Sequence, residues 1–368
     1  MNNVSIFSFF SGSGLLDLGF EDAGLETVFV NEYHKPFLDA YKYSRNNIGH
    51  KEPKYGYSDT DINDYVPKKC QKFFIDAIKK EHSLKRIVGF IGGPPCPDFS
   101  VGGKNRGKHG DNGRLSEVYI DLTCSLKPDF ILFENVKGLW RTKRHREFYE
   151  EIKIKLHNSG YTTTEKLVNS IEYAVPQDRE RILLFGIRKT LLLNKKMINQ
   201  FNWDLSKIYN KEDIFSLKWP TTNTFKKKIN KPNNLPEDLM VDYWFKKNDV
   251  SHHPNAKDHF QPRSGLIRFQ TIDEGDVSKK SYKRLHRFRY SPTAAYGNNE
   301  VHLHPTEARR ISVSEALAIQ SLPKEFVLPP EMSLTNKFKT IGNGVPYLLS
   351  KGIANTIKCF ITKIQAGN

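Results

Sequence analysis

Ile87-Val88-Gly89-Phe90-Ile91-Gly92-Gly93-Pro94-Pro95-Cys96-Pro97-Asp98-Phe99-Ser100 is an apolar run that meets two glycines and then three prolines. Residues 87–91 read as a short buried strand. The strand must stop at Gly92-Gly93-Pro94-Pro95. Glycine permits unusual backbone angles, and each proline fixes its own φ and pushes the residue before it towards extended geometry. Cys96, between Pro95 and Pro97, is therefore a single thiol held stiffly at the carboxyl end of a strand, where an open α/β sheet places its chemistry. Two readings follow from this stretch. The thiol is a nucleophile, or it is an inert cysteine in a tight turn, since free cysteine is among the most buried residue types.

Upstream, residues 4–10 form a strand-like run that ends in Phe10-Ser11-Gly12-Ser13-Gly14, followed by Leu15, Leu16, Leu18 and Phe20 and a stop at Ala23-Gly24. Strand, glycine turn and helix open a nucleotide-binding βαβ unit, in which backbone N–H groups face the ligand. A second strand over 26–31 leads into Glu32. Such folds hold a ribose hydroxyl pair with an acidic residue about 20 positions after the glycine turn. Tyr33 beside it covers an adenine or is simply a packed aromatic. Asp61, followed by Ile62, offers a carboxylate to an adenine amino group. A helix over 73–78 then leads back to the Cys96 strand.

Downstream, residues 102–114 hold five glycines and five basic or titratable basic side chains, too many to pack in a core. Such a loop is unstructured filler or a lid that closes over a phosphate backbone, and its place beside the thiol favours the lid. A helix over 118–126, broken by Pro128, precedes a strand over 130–133 that ends in Glu134-Asn135-Val136. A carboxylate arriving from an apolar run faces the same rim as Cys96, and partial burial raises its pKa as a proton donor requires. The ordinary alternative is a cap on the next helix. A helix over 148–156 and a strand over 161–167 follow. Gln177-Asp178-Arg179-Glu180-Arg181 then enters a strand over 182–187, with alternation placing both arginines on one face. The pair suits a phosphate or a base edge, or forms a surface ladder with Asp178 and Glu180.

The 368 residues carry 57 Lys and Arg against 41 Asp and Glu, a formal charge of +16. Residues 189–310 alone hold 23 basic and 13 acidic residues, and there the strand–helix alternation is lost. A basic excess in one segment points to a polyanion, with nucleic acid the first candidate. Residues 279–290 alternate basic and bulky side chains in a way that suits phosphates and bases, or that makes a solvated basic strand. His252-His253 and His302-x-His304 lack a third ligand at metal-binding spacing. Four scattered cysteines, with no C-x-x-C pair, argue for a reducing cytoplasm and against a disulfide framework. No apolar run is long enough to cross a bilayer, and the first residues lack a secretion signal. Order returns near Arg310. Ser312-Val313-Ser314-Glu315 has capping-box spacing, and Gly342-Asn343-Gly344-Val345-Pro346 reads as a turn before a last helix over 348–360.

These pieces together resemble the DNA (cytosine-5)-methyltransferase family of bacterial restriction-modification type. Six motifs stand in the family's order: Phe10-Ser-Gly-Ser-Gly14, Glu32, the Pro95-Cys96 loop, Glu134-Asn135-Val136, Gln177-x-Arg179-x-Arg181 and Gly342-Asn343-Gly344. The resemblance covers about 1–190 and 305–368. It implies a Rossmann-like S-adenosylmethionine-dependent methyltransferase fold over 1–188, completed by 310–368. A smaller, mostly irregular or β DNA-recognition domain is implied over 189–309. It makes Cys96 the covalent nucleophile on carbon 6 of a flipped-out cytosine and Glu134 the donor to ring nitrogen 3. Arg179 then orients the base, with Arg181 in support. Cofactor contacts fall to Phe10, Gly12, Gly14, Glu32, Tyr33, Asp61, Ile62, Pro95, Asn343 and Val345. Contacts to double-stranded DNA fall to Ser100, Lys104, Arg106, Gln177, Lys283, Arg284 and Arg287. A monomer, a separately acting endonuclease and no metal are the matching expectations. One position departs from the family: Pro97 stands where a glutamine usually follows the cysteine.

Rival readings have their own signatures. A DNA-binding protein on an inactive scaffold predicts the loss of Cys96 or Glu134, and both are present. A nicotinamide dehydrogenase predicts a fuller G-x-G-x-x-G turn and gives Cys96 no role. Amino-group DNA methyltransferases carry an Asp/Asn-Pro-Pro-aromatic loop where this chain has Gly-Pro-Pro-Cys. A tRNA substrate shares the catalytic residues, and the long basic middle segment favours DNA.

Overall fold

A computed structural model describes residues 3–95, 111–262, 266–279, 281–293, 296 and 302–367. Seven strands form one sheet in the order β3-β2-β1-β4-β5-β7-β6. They are β1 (Val4–Phe9), β2 (Glu26–Asn31), β3 (Tyr57–Ser58), β4 (Ile87–Gly92), β5 (Phe130–Val136), β6 (Tyr161–Asn169) and β7 (Glu180–Arg188). The first five run parallel, and β7 is inserted antiparallel between β5 and β6. All six residues of β1 are buried. A parallel strand covered on both faces is apolar throughout, which explains the continuous runs in the sequence.

Helices cover both faces. On one, Val4 and Ile6 of β1 join Leu16 and Phe20 of α1 (Leu15–Asp22) with Phe130, Phe185 and the last helix. On the other, Phe7 and Phe9 meet α3 (Lys72–Ser83), α4 (Asp111–Leu126) and α6 (Lys143–Asn158). Helix α2 (Lys35–Ile48) follows β2, and α5 (Lys137–Arg141) follows β5. The chain's return to its start is tight. An added Cβ at Gly19 of α1 would lie 2.5 Å from the Lys351 nitrogen, so only glycine allows the two helices to approach this closely.

Among its described residues, the middle segment holds three short α-helices, α7 (Lys211–Ser216), α8 (Val241–Lys247) and α9 (Leu266–Thr271). Its β content among the described residues is a pair of two-residue parallel strands, β8 (Lys283–Arg284) and β9 (His302–Leu303), with isolated bridges. Packing does not break at residue 189. Phe201 stacks on Phe185 with centroids 4.4 Å apart, and the Trp203 indole N–H donates to Thr164 Oγ1 at 3.1 Å. The expected capping box forms at α10 (Val313–Ile319), where Ser312 and Glu315 cap each other's backbone N–H. Helices α11 (Leu334–Asn343) and α12 (Tyr347–Gly367) complete the chain. The expected Gly-Asn-Gly turn is thus corrected: Gly342 and Asn343 form the last turn of α11, and Gly344 ends it. Glu134-Asn135-Val136 form the carboxyl end of β5, as expected. No helix among the described residues is long and apolar enough to cross a membrane.

Candidate active site

The strands β1 and β4 lie side by side, and the chain leaves them in opposite directions, to β2 and to β5. In an open α/β sheet the crevice at that switch point is where ligands bind. Here the residue after β1, Phe10, takes φ 53°, and the turn continues through Gly12 at 57° and Gly14 at 84°. An added Cβ at Gly14 would lie 2.6 Å from the Tyr41 ring and 2.7 Å from the Arg45 guanidinium, so a side chain is excluded there. Arg45 fixes the turn by donating from Nη2 to the Gly14 carbonyl at 2.6 Å.

Glu32, at the end of β2, is buried. Its Oε2 accepts from the Gly12 N–H and its Oε1 from the His34 N–H, both at 2.8 Å. Burial pushes its pKa up, and these two donors work against the rise. Tyr33 beside it is 68% exposed, whereas Ile62 is a core residue at 2%. Asp61 caps a helical turn by accepting from the Asn63 N–H at 2.9 Å. From the far end of the chain, Thr340 Oγ1 accepts the Ser13 N–H at 3.2 Å and shares a hydrogen bond with Ser13 Oγ at 2.9 Å. Asn343 is exposed at the end of that helix, and Val345 is buried in the core. The side chains of Ile62 and Val345 thus pack into the core.

Glu134 is 6% exposed and stands opposite Leu183 in the β5–β7 ladder. Arg181 Nε lies 2.8 Å from its Oε1, an ion pair between two buried side chains. Burial pushes the Glu134 pKa up, and Arg181 and then Arg179 oppose it. Beneath the carboxylate lies Gly93, where an added Cβ would be 2.6 Å from Glu134 Oε2. Sequence reasoning took Gly93 only as a strand stop. Nothing local signals that a carboxylate from another strand rests on its backbone. Pro95 is the last described residue before the thiol. Cys96, Ser100, Lys104 and Arg106, with most of the glycine-rich loop, lie outside the described residues.

Arg179 is completely buried, and its Nη2 donates to the carbonyls of Gly342 at 2.7 Å and Gly344 at 2.9 Å. The alternative of a surface ladder fails for both arginines. Glu180 instead faces Lys137 at 2.6 Å and Lys211 at 3.6 Å.

The whole arrangement matches the family of C-5 cytosine-specific DNA methylases, over residues 4–359. The chain belongs to that family. It is 57% identical over 356 residues to the Type II methyltransferase M.NmeDI of Neisseria meningitidis serogroup C, covering 97% of this chain and 84% of the relative. It is 28% identical over 370 residues to the Type II methyltransferase M.FnuDI of Fusobacterium nucleatum, covering 98% and 95%. The fold is also similar to that of a prophage-encoded DNA modification methyltransferase of E. coli, with a TM-score of 0.66 and 19% identity over 98% of this chain and 99% of that one. The protein is thus an enzyme that methylates carbon 5 of cytosine in DNA, and members of the family use S-adenosylmethionine in general.

Within this methyltransferase, the expected DNA contact at Arg284 is corrected. Arg284 is fully buried, and its donors go to the carbonyls of Ile272 at 2.7 Å, His304 at 2.5 Å, Glu307 at 2.9 Å and Phe269. Arg287 forks onto the buried carboxylate of Glu274 at 2.8 and 2.6 Å. Gln177 is buried as well. Its neighbours tie the stretch before β7 to the middle segment, with the Asp178 N–H donating to the Ser291 carbonyl at 2.9 Å and the Ser291 N–H to the Pro176 carbonyl at 2.8 Å. In residues 279–290 the alternation reports burial inside the segment, with Leu285, His286 and Phe288 inward. Lys283 remains half-buried at β8, with its side chain partly in solvent.

Proposed function

We propose that Cys96 is the nucleophile of this cytosine methyltransferase, Glu134 its proton donor and Arg181 the arginine that serves the base. The observation that carries the reading is the buried Glu134 carboxylate, whose pKa burial raises, resting on Gly93 three residues before the thiol. Carbon 5 of cytosine is a poor nucleophile. Addition of the Cys96 thiolate to carbon 6 forms a carbon–sulfur bond and drives the ring electrons towards nitrogen 3. A protonated Glu134 meets them there by donating its proton. Arg181, at 2.8 Å from that carboxylate, stabilises the anion left behind. After carbon 5 is methylated, nitrogen 3 returns its proton to the Glu134 carboxylate, the carbon 5 proton passes to a base, and the electron pair of that carbon–hydrogen bond forms the carbon 5–carbon 6 double bond as the carbon–sulfur bond breaks to release the thiolate. The target carbon is covered in a duplex, so the base must leave the stack.

The donor set at the switch point fits S-adenosylmethionine. Glu32 supplies acceptors for a ribose hydroxyl pair, Asp61 an acceptor for an amino group, and exposed Tyr33 a flat surface beside them. Phe10, Gly12, Gly14, Pro95 and Asn343 frame the same end of the sheet. When bound, this cofactor supplies an electrophilic methyl group. Residues 189–309 are the target-recognition domain in this reading, supported by their basic excess. The Type II designation of its relatives supports a separate endonuclease that acts on the same DNA sequence, with the chain working as a monomer. Its DNA substrate supports a cytoplasmic site of action.

Bisulfite sequencing of a plasmid from cells that express the chain tests activity and target together. Wild type should protect cytosine within one sequence, and Cys96→Ser should leave every site converted. Full methylation by that variant would refute the assignment. A denaturing gel with 5-fluorocytosine in the target duplex should retain a covalent enzyme–DNA species.

A further inference from the structure

Two arginines two residues apart enter this site, and the fold uses them differently. Arg181 faces the catalytic carboxylate at 2.8 Å. Arg179 faces the joint between α11 and α12, where its Nη2 bonds the two carbonyls that flank Asn343. The same joint is held elsewhere: Gln320 Nε2 donates to the Ile341 carbonyl at 2.8 Å, and the Gln320 carbonyl accepts the Tyr347 N–H at 3.0 Å. One residue before it, Thr340 bonds Ser13 of the glycine turn at 2.9 Å. The backbone of Gly344 lies against Leu15, the first residue of α1. A continuous run of polar contacts therefore passes from the glycine turn through residues 340–344 to the Arg179 guanidinium. That guanidinium lies within electrostatic reach of Arg181 and Glu134. A planar, permanently charged fork bonded to two carbonyls has little freedom to turn towards a base.

We infer that Arg179 is a positioning residue that ties the cofactor-binding end of α11 to the catalytic carboxylate, and that it does not contact the cytosine. The inference rests on the methyltransferase reading of the site. Loss of the two hydrogen bonds frees residues 342–344 and with them Asn343, so the effect appears in cofactor affinity before any DNA is present. A residue that orients the base has no such effect.

The test is the dissociation constant of S-adenosylhomocysteine for the full-length protein without DNA, measured by titration calorimetry. Arg179→Lys and Arg179→Gln should each weaken it tenfold or more. Arg181→Lys should change it less than twofold while it slows single-turnover methylation at saturating cofactor. Arg179 variants that bind the analogue as wild type does, yet lose methylation, would overturn the inference. Should both variants misfold, amide exchange of the wild type decides. The analogue alone should slow exchange in residues 177–181 as well as 340–347, and protection confined to 340–347 would overturn the coupling. Transfer of labelled methyl groups by the wild type to unmethylated genomic DNA is read in parallel. Its absence would overturn the reading of the site, an outcome distinct from unchanged affinity in the variants.

Discussion

Arg181→Leu removes the cation closest to a carboxylate that is 6% exposed, and the consequence depends on pH in a defined direction. At an effective dielectric of 20, two unit charges 2.8 Å apart attract by ~6 kcal/mol before dehydration is counted. Removing one member of a buried pair costs about 3–5 kcal/mol, because the other charge stays behind. Arg179 remains, but its hydrogen bonds go to Gly342 and Gly344. Burial already lifts the Glu134 pKa above 4.5, and without Arg181 it rises further. Above 4.5 the folded variant therefore holds a proton that the unfolded chain has released, and its stability falls as pH rises through the folded pKa. Relative to wild type, the deficit in urea unfolding should be about 1 kcal/mol near pH 3.5, where both states are largely protonated, and about 3–5 kcal/mol at pH 8.5. Glu134→Gln in the same background should recover roughly 2 kcal/mol at pH 8.5 as the buried charge disappears. Equal deficits at both pH values, with no recovery in the double variant, would show that Glu134 is not the charge Arg181 compensates.

Gly93→Ala should push the Glu134 carboxylate aside, since the new Cβ would be 2.6 Å from Oε2. Single-turnover methylation should fall by about 10²-fold with cofactor affinity unchanged, and an unchanged rate would remove Gly93 from the site. Asp17 of α1 is fully buried, with Ser8 donating to Oδ1 at 2.9 Å, and burial and Glu21 raise its pKa from 3.8 to about 7. Its ionisation penalty is absent below pH 4 and complete above about 7, so between those limits wild type should lose roughly 4 kcal/mol relative to Asp17→Asn. Parallel stability curves for the two proteins would refute this. Arg284→Met leaves four backbone carbonyls without their donor and should cost about 3 kcal/mol or more. Limited proteolysis should then cut first within residues 189–309, and a wild-type pattern would contradict the structural role. Exchange of residues 189–309 for those of a relative should change the DNA sequence modified and leave the chemistry intact, as bisulfite sequencing would read.

Much of the sheet was legible because parallel strands are apolar throughout and are punctuated by glycine and proline. The runs at 26–31, 87–91 and 182–187 lie within strands of nearly those limits. The Gly342-Asn343-Gly344 reading failed because glycine marks both a free turn and the last turn of a helix, and only the helix's partners choose between them. The basic segment misled in the same way. Lysine and arginine report a charge, not its direction, and Arg284 points into the segment because buried carbonyls wait for it there.

Local patterns were enough for the α/β class, for the order of six chemical landmarks and for the carboxylates at the ends of strands, since each depends on a few neighbouring residues. Which arginine meets Glu134, why a glycine lies beneath that carboxylate and how residue 340 reaches residue 13 depend on contacts between distant segments. Such contacts are set when the whole core packs, and spacing along the chain carries no record of them.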